Sequence, residues 1–196
     1  MVIKKGKNTI HKNSFLIGFN YIENSVVGKC EIYCSKIVNS IICDECRITN
    51  SVIENSVVRN GSTVGPFSYL RQNSFVGKNC RIGDFVEVKN SCLDDGVKAS
   101  HHAYVGDAYV GKNTNIGCGT VFANFNGKIK QKTFVGENVF IGANVNLVAP
   151  VSVGKNSFIG AGTTVRENLD ENTFLVDITN NKIKKIEWEV AWVKIF

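Results

Sequence analysis

The chain is poor in proline, with two residues in 196, and holds one methionine and three histidines. With so little proline, its turns are left to glycine and asparagine, both of which are abundant. No run approaches the ~18 apolar residues of a membrane-spanning helix. The amino-terminal stretch MVIKKGKNTIHKNSFLIGF has an apolar patch from Phe15 to Phe19, too short and too mixed for the core of a signal peptide. No basic run is interleaved with aromatics, so nucleic acid is not an expected partner. Net charge is nevertheless +6, with lysine and arginine spread along the whole chain. That spread reads as a solvated surface whose modest positive field favours anionic substrates. Seven cysteines form an odd set in a chain that is not small, and no secretion signal accompanies them. They are expected to be reduced thiols in a cytoplasmic protein.

What is present is a repeat. Apolar residues make up 43% of the chain, valine and isoleucine far outnumber leucine, and β-branched enrichment favours strands. Val135, Ile141, Leu147, Val153, Ile159 and Val165 recur every six residues, most of them followed by glycine. Val58, Val64, Leu70, Val76, Ile82 and Val88 form a second such run, and Ile22, Val27, Ile32, Ile37 and Ile42 step by five with asparagine-serine pairs at several turns. A six-residue period is not helical. Each aliphatic and the small residue two places before it share one face, which is strand alternation. Three such units close a triangular coil of ~16–18 residues, and stacked coils make a parallel β-helix. Residues 22 to 165 give about eight coils. Cys46, Cys80 and Cys92 are expected at the inward small-residue place. Cys43 and Cys46 form a CxxC, but Cys30 and Cys34 lack zinc-ribbon spacing and Cys43 should point outward, so no metal site is expected.

Two stretches break the period. Asn90 to Val105 holds two of the histidines, His101 and His102. FANFNGKIKQKT, from Phe122 to Thr133, is polar and basic with an Asn-Gly, and reads as an extruded loop. On spacing alone, His101 reads first as a partly exposed corner residue bonded to backbone and second as a catalytic group. The loop alone reads first as solvated. The three histidines are too few and too poorly spaced for a three-histidine metal centre.

From about Ile48 to Val165 the segments VGPFSYLR, GDFVEVK, KASHHAYVGDAYVGKNTNIGCGT, NFNGKIKQKT and FIGANVNLVAPV are highly specific. Together they resemble the acetyltransferase domain of the bacterial bifunctional N-acetylglucosamine-1-phosphate uridyltransferase/glucosamine-1-phosphate N-acetyltransferase, without its uridyltransferase domain. The resemblance implies an all-β, left-handed parallel β-helix of hexapeptide repeats over residues 1–177. One extruded loop is expected, with a short tail, 178–196, packing on the helix. It also implies a homotrimer with sites between subunits.

The resemblance assigns roles as well. HxxY places the catalytic base at His101 and a phosphate contact at Tyr104, while His102 falls at a variable position. Glu87 corresponds to the carboxylate that orients the base. Arg71 and Lys89 match cationic contacts to the sugar phosphate, Asn115 a sugar contact, and Lys130 the loop lysine near both. Asn124, Phe125, Ala143 and Ala161 match the acetyl-CoA groove, and a backbone N–H near Cys118 is placed to meet the oxyanion. The implied reaction is acetyl transfer from acetyl-CoA to the amine of glucosamine 1-phosphate or a close aminosugar phosphate, with no metal required. A histidine suits the proton transfer that this needs.

The sequence also departs from that pattern. Phe125 stands where the family usually has tyrosine. Ile178 stands near a basic residue that meets the cofactor's phosphate, leaving Lys182, Lys184 and Lys185 as substitutes. The competing reading is a non-catalytic trimeric scaffold or regulatory module partnered with a separate nucleotidyltransferase.

Overall fold

In the computed structural model, residues 1–178 and 182–187 are described, and their regular structure is entirely strand. Three sheets run the length of the molecule. Sheet A has ten strands, from Val2–Lys5 to Thr164–Val165. Sheet B has nine, from Thr9–Ile10 to Val151–Val153. Sheet C has eleven, ending in Thr173–Ile178 and Lys182–Glu187. The chain visits A, B and C in rotation, and from Val2–Lys5 to Asn146–Val148 each strand pairs in parallel with the one three places on. The result is a triangular parallel β-solenoid of about ten turns, consistent with the left-handed β-helix that the hexapeptide pattern implies.

Ten turns replace the eight expected. At the amino-terminal end, Lys4 stands over Ile22 in the register, where later coils carry an aliphatic. An end coil has solvent on one side, so a lysine is tolerated there and the apolar period disappears from the sequence. At the other end, Leu175 still stacks on Ile159.

The periodic aliphatics form one column per sheet. On sheet A the inward column runs through Ile22, Ile37, Ile53, Leu70, Val88, Val105 and Phe122 to Leu147 and Val165, each at most 2% exposed. Each buried aliphatic contributes about 1.5–3 kcal/mol by leaving water. Main-chain hydrogen bonds join the coils at the corners too, such as Val57 N–H to the Ser74 carbonyl at 2.9 Å.

The corners explain the turn composition. Most non-glycine residues with positive φ are asparagines, among them Asn24, Asn39, Asn55, Asn73 and Asn90 along the A/B corner. Asparagine tolerates this left-handed conformation better than other side chains. The five-residue steps depend on the serine that follows. Ser40 N–H donates to Ser25 Oγ and Ser56 N–H to Ser40 Oγ, both at 3.1 Å. Each hydroxyl in turn donates to the carbonyl two residues back, Ser40 to Val38 at 2.7 Å. The buried serine therefore replaces hydrogen bonds that the shorter turn cannot make with backbone alone.

Two expectations need correction. Asn90–Val105 does not break the solenoid: Leu93, Ala99 and Val105 are buried and pair regularly with the coils on either side. Only the step from Val88 to Leu93 is five instead of six, which hid the period. Cys92 lies on the outer side of sheet B between Phe75 and Tyr109, because that short step puts Leu93 inward instead. Cys46 and Cys80 are buried as expected.

The loop is extruded as anticipated. Equivalent residues of neighbouring coils are 17 or 18 apart in sequence elsewhere in this region, but Asn113 and Asn138 are 25 apart. The surplus forms a small hairpin with an antiparallel bridge between Phe125 and Lys130. In the tail, Lys182–Glu187 pairs antiparallel with Thr173–Ile178. Residues 188–196, including Trp188 and Trp192, lie outside the described residues, as do the side chains of Ile178, Lys182, Lys184 and Lys185.

Ile82 is fully buried on sheet C between Val64 and Ala99. Ile82→Ala is expected to lower stability by about 2–5 kcal/mol, read by denaturant unfolding.

Candidate active site

The site residues gather where the chain turns from sheet C to sheet A. His101 ends the strand Lys98–His101, and the register sets it directly on Asp84 of the coil beneath. Its Nδ1 lies 2.6 Å from Asp84 Oδ1. An ionised carboxylate accepts only, so this contact selects the tautomer with the proton on Nδ1 and leaves the Nε2 lone pair free. The hydrogen bond from His101 holds the Asp84 carboxyl below its ordinary range. His102 turns the corner at φ 36°, exposed, its N–H bonded to the Asp84 carbonyl at 2.7 Å.

Glu87 does not meet His101. It faces Tyr104 across the register, and its Oε1 accepts from Arg71 Nε at 2.6 Å. Two residues separate Asp84 from Glu87, and the corner falls between them. The histidine's carboxylate partner within the chain is therefore Asp84.

Sheet A then presents a cationic cluster. Arg71 and Lys89 are register partners on adjacent strands. Lys89 is 4% exposed, and its ammonium donates to Asp107 Oδ2 at 2.9 Å. Asp107 also accepts from Asn90 at 2.5 Å and from Asn124, whose amide is 3.3 Å from the Tyr104 hydroxyl. Burial pushes the Asp107 carboxyl up, but the hydrogen bonds from Asn90, Lys89 and Asn124 outweigh it and hold the group below its ordinary value. Lys130, reaching in from the loop, is pushed below the ordinary lysine range by its contact with Lys89. Lys89, Tyr104, Asn124 and Lys130 thus form one network with Asp107 as its hub, beside Arg71, which Glu87 holds.

The remaining predicted residues occupy other places. Cys118, Ala143 and Ala161 climb the same C/A corner above His101. Gly119 N–H bonds the His102 carbonyl, Asn144 N–H that of Cys118, and Gly162 N–H that of Ala143, at 2.7 to 2.8 Å. This column of small side chains leaves the corner open above the histidine. Asn115 stands on the outer side of sheet C between Lys98 and Phe140. Phe125 projects from the loop, 58% exposed. Asn124 is buried and committed to Asp107 and Tyr104.

Sequence reasoning missed Asp84 and Asp107. Asp84 precedes His101 by one coil length. Asp107 occupies the A/B corner position that asparagine holds in the five preceding coils. Among the described residues, no cluster of three or more His, Cys, Asp or Glu is arranged for a metal ion. Among the same residues, no helix is long and apolar enough to cross a membrane.

The fold is a triangular solenoid of hexapeptide units with an extruded loop beside a corner histidine, and two family models match parts of it. Residues 132–167 match the bacterial transferase hexapeptide (six repeats) model, and residues 52–125 match the GMPPB C-terminal domain. The chain is 46% identical over 156 residues to the bifunctional protein GlmU of Acetivibrio thermocellus, covering 80% of this chain and 34% of that protein. It is 50% identical over 160 residues to that of Clostridioides difficile, covering 82% and 34%. The chain thus spans about a third of the length of these curated relatives, and the family resemblance read from the sequence is borne out over that part. The solved UDP-N-acetylglucosamine acyltransferase from Campylobacter jejuni shares the fold, with TM-score 0.53 and 13% identity over 91% of this chain and 74% of that one.

The Lys89–Asp107 pair is more than nine-tenths buried on both sides. Asp107→Ala should cost about 3–5 kcal/mol, because it strands a buried ammonium. Adding Lys89→Met should recover most of that loss in the same unfolding assay. Because Asp107 titrates lower when folded, its contribution is complete above the unfolded value near ~3.9 and fades as pH falls through the folded value.

Proposed function

We propose that the chain is an acetyl-CoA-dependent N-acetyltransferase acting on the amine of glucosamine 1-phosphate or a close aminosugar phosphate. The observation that carries this reading is the His101–Asp84 pair, set between an open column of small side chains and a cluster of three cations. The small column suits an extended thioester donor, and the cations suit a phosphate. The similarity to GlmU supports acetyl transfer as the chemistry.

The roles follow from proton and charge balance. The aminosugar nitrogen attacks the thioester carbon while His101 Nε2 accepts its proton. Asp84 keeps the imidazole in the required tautomer and stabilises the imidazolium that forms, as the carboxylate of a hydrolase triad does. Negative charge on the carbonyl oxygen is met by a backbone N–H near Cys118. Collapse expels the coenzyme A thiolate, which takes up a proton. Arg71, oriented by Glu87, joins Lys89, Tyr104 and Lys130 in holding the phosphate, and Asn115 contacts the sugar. Asn124, Phe125, Ala143 and Ala161 border the donor. The depression of Lys130 by Lys89 fits this assignment, since a bound dianion relieves repulsion between two ammonium groups. We assign the working form to a homotrimer in the cytoplasm, with sites between copies. An exposed apolar column on sheet B, Val26, Ile41, Tyr109 and Phe134 among its members, agrees with self-association.

The test is product formation by mass spectrometry from acetyl-CoA and glucosamine 1-phosphate. His101→Ala is expected to lose about 10²–10⁴-fold in kcat. Asp84→Asn should lose about 10–10²-fold in kcat with little change in KM, and Asp84→Glu should recover part of it. No acetylated product from wild type with any aminosugar phosphate would leave the scaffold reading in its place. Light scattering should give three times the monomer mass, and a monomer would remove the intersubunit site.

A further inference from the structure

Two thiols lie against each other far from the histidine corner. Glu31 pairs with Arg47, and Glu31 N–H donates to the Cys46 carbonyl at 3.0 Å, so Cys30 sits directly beneath Cys46 on successive coils. Both are inward and buried, at 3% and 2% exposed. Cys30 Sγ donates to the Cys43 carbonyl at 2.8 Å, and Cys46 Sγ to the Arg59 carbonyl at 3.1 Å. The next place in the same column is Ser62, whose hydroxyl accepts from Cys80 N–H at 2.9 Å. Cys30 and Cys46 are therefore adjacent, while the third thiol of the column is set apart by a serine.

The spacing is that of a disulfide. Neighbouring strands lie ~4.8 Å apart, inside the ~4.4–6.8 Å range of Cα separations that a disulfide spans. Cys30 and Cys46 line an open groove of about 360 Å³ with Lys29, Glu31, Glu45 and Arg47, their thiols turned inward, so exchange requires the edge of the coil to open locally.

We propose that Cys30 and Cys46 are a redox-active dithiol that closes to an inter-coil disulfide by exchange with a small oxidised disulfide such as oxidised glutathione. One thiolate attacks the small disulfide, forms a mixed disulfide and expels one small thiolate. The second cysteine's thiolate attacks the mixed disulfide at the protein sulfur and expels the other. The two cysteines give up two protons and two electrons, and one small disulfide becomes two small thiols. The contact between the two thiols couples their ionisation, holding Cys30 below the ordinary thiol range and Cys46 above it, and the exchange balances from either cysteine. The CxxC partner is the poorer choice. Cys43 is partly exposed and Cys46 is buried, on opposite sides of one strand end.

The experiment uses the full chain, incubated natively with excess oxidised glutathione, alkylated, and digested with trypsin without reduction. Cleavage after Lys29, Lys36 and Arg47 puts Cys30 and Cys34 in one peptide and Cys43 and Cys46 in the next. The expected result is those two peptides joined, with the loss of two hydrogens. The link should persist in Cys34→Ser and Cys43→Ser, and disappear in Cys46→Ser, where glutathione should remain on Cys30. Serine already occupies this column at Ser62, so Cys46→Ser is expected to fold, and circular dichroism confirms it. A closed loop within the 37–47 peptide, a stable glutathione adduct on Cys30 or Cys46 of wild type, or both thiols still alkylated would each overturn the proposal. None of these readouts depends on acetyl transfer.

Discussion

Vertical register is the constraint on which everything else here rests. Each residue stands on its equivalent one coil below and beneath its equivalent one coil above, a strand spacing away. A side chain is therefore chosen for its column as much as for its own strand. Aliphatics stacked on aliphatics give the core. Asn113, Asn138, Asn156 and Asn172 pass a hydrogen bond from amide to amide up one corner. Phe140, Phe158 and Phe174 stack with centroids 4.9 Å apart. Every ion pair among the described residues joins neighbouring coils, from Lys5–Glu23 to Lys155–Glu171.

The candidate site is where these column rules are broken. Asp107 interrupts a column of corner asparagines, and the charge it introduces is what allows a lysine to be buried beside it. Lys130 is brought against the buried Lys89, a like-charge contact that pulls Lys130 below its ordinary range. Phe67, Phe85 and His102 take positive φ at the C/A corner, a conformation that costs such side chains more than asparagine. Local rules fail together where function competes with folding. Here the failures fall in adjacent coils, on either side of one corner.

This distinction also separates what the sequence makes legible from what it hides. The aliphatic columns, the triangular coil and the loop at Phe122–Thr133 follow from period alone, because the period is the column. Pairing between coils does not, since it depends on the exact length of each turn. A histidine partner sought among nearby acidic residues gives Glu87 or Asp84 equally, and only the coil length, set by the short step at Leu93, brings Asp84 under His101. The same short step moved Cys92 outward. Lys4 hid the first coil because end coils obey the register without needing an apolar residue. Asp107 is visible in the sequence only once the asparagine column is known.

The two ion pairs of the site differ in a way that bears on the proposed chemistry. Lys89 and Asp107 are 5% and 8% exposed at their side chains, so their charges interact in a low-dielectric setting and their geometry is held. His101 and Asp84 are 58% and 38% exposed. Water screens that pair, and a carboxylate so exposed stabilises an imidazolium only weakly. A base assembled on an open corner works well only when the corner is covered, because exclusion of water strengthens both the Asp84 contact and the oxyanion's hydrogen bond. The single chain supplies one wall, built from its column of small side chains and its loop. In the proposed trimer the other wall is a second copy, so the intersubunit arrangement has a physical reason. On the proposed reading the cationic cluster is complete within one chain, whereas the base becomes effective only when another chain closes over it.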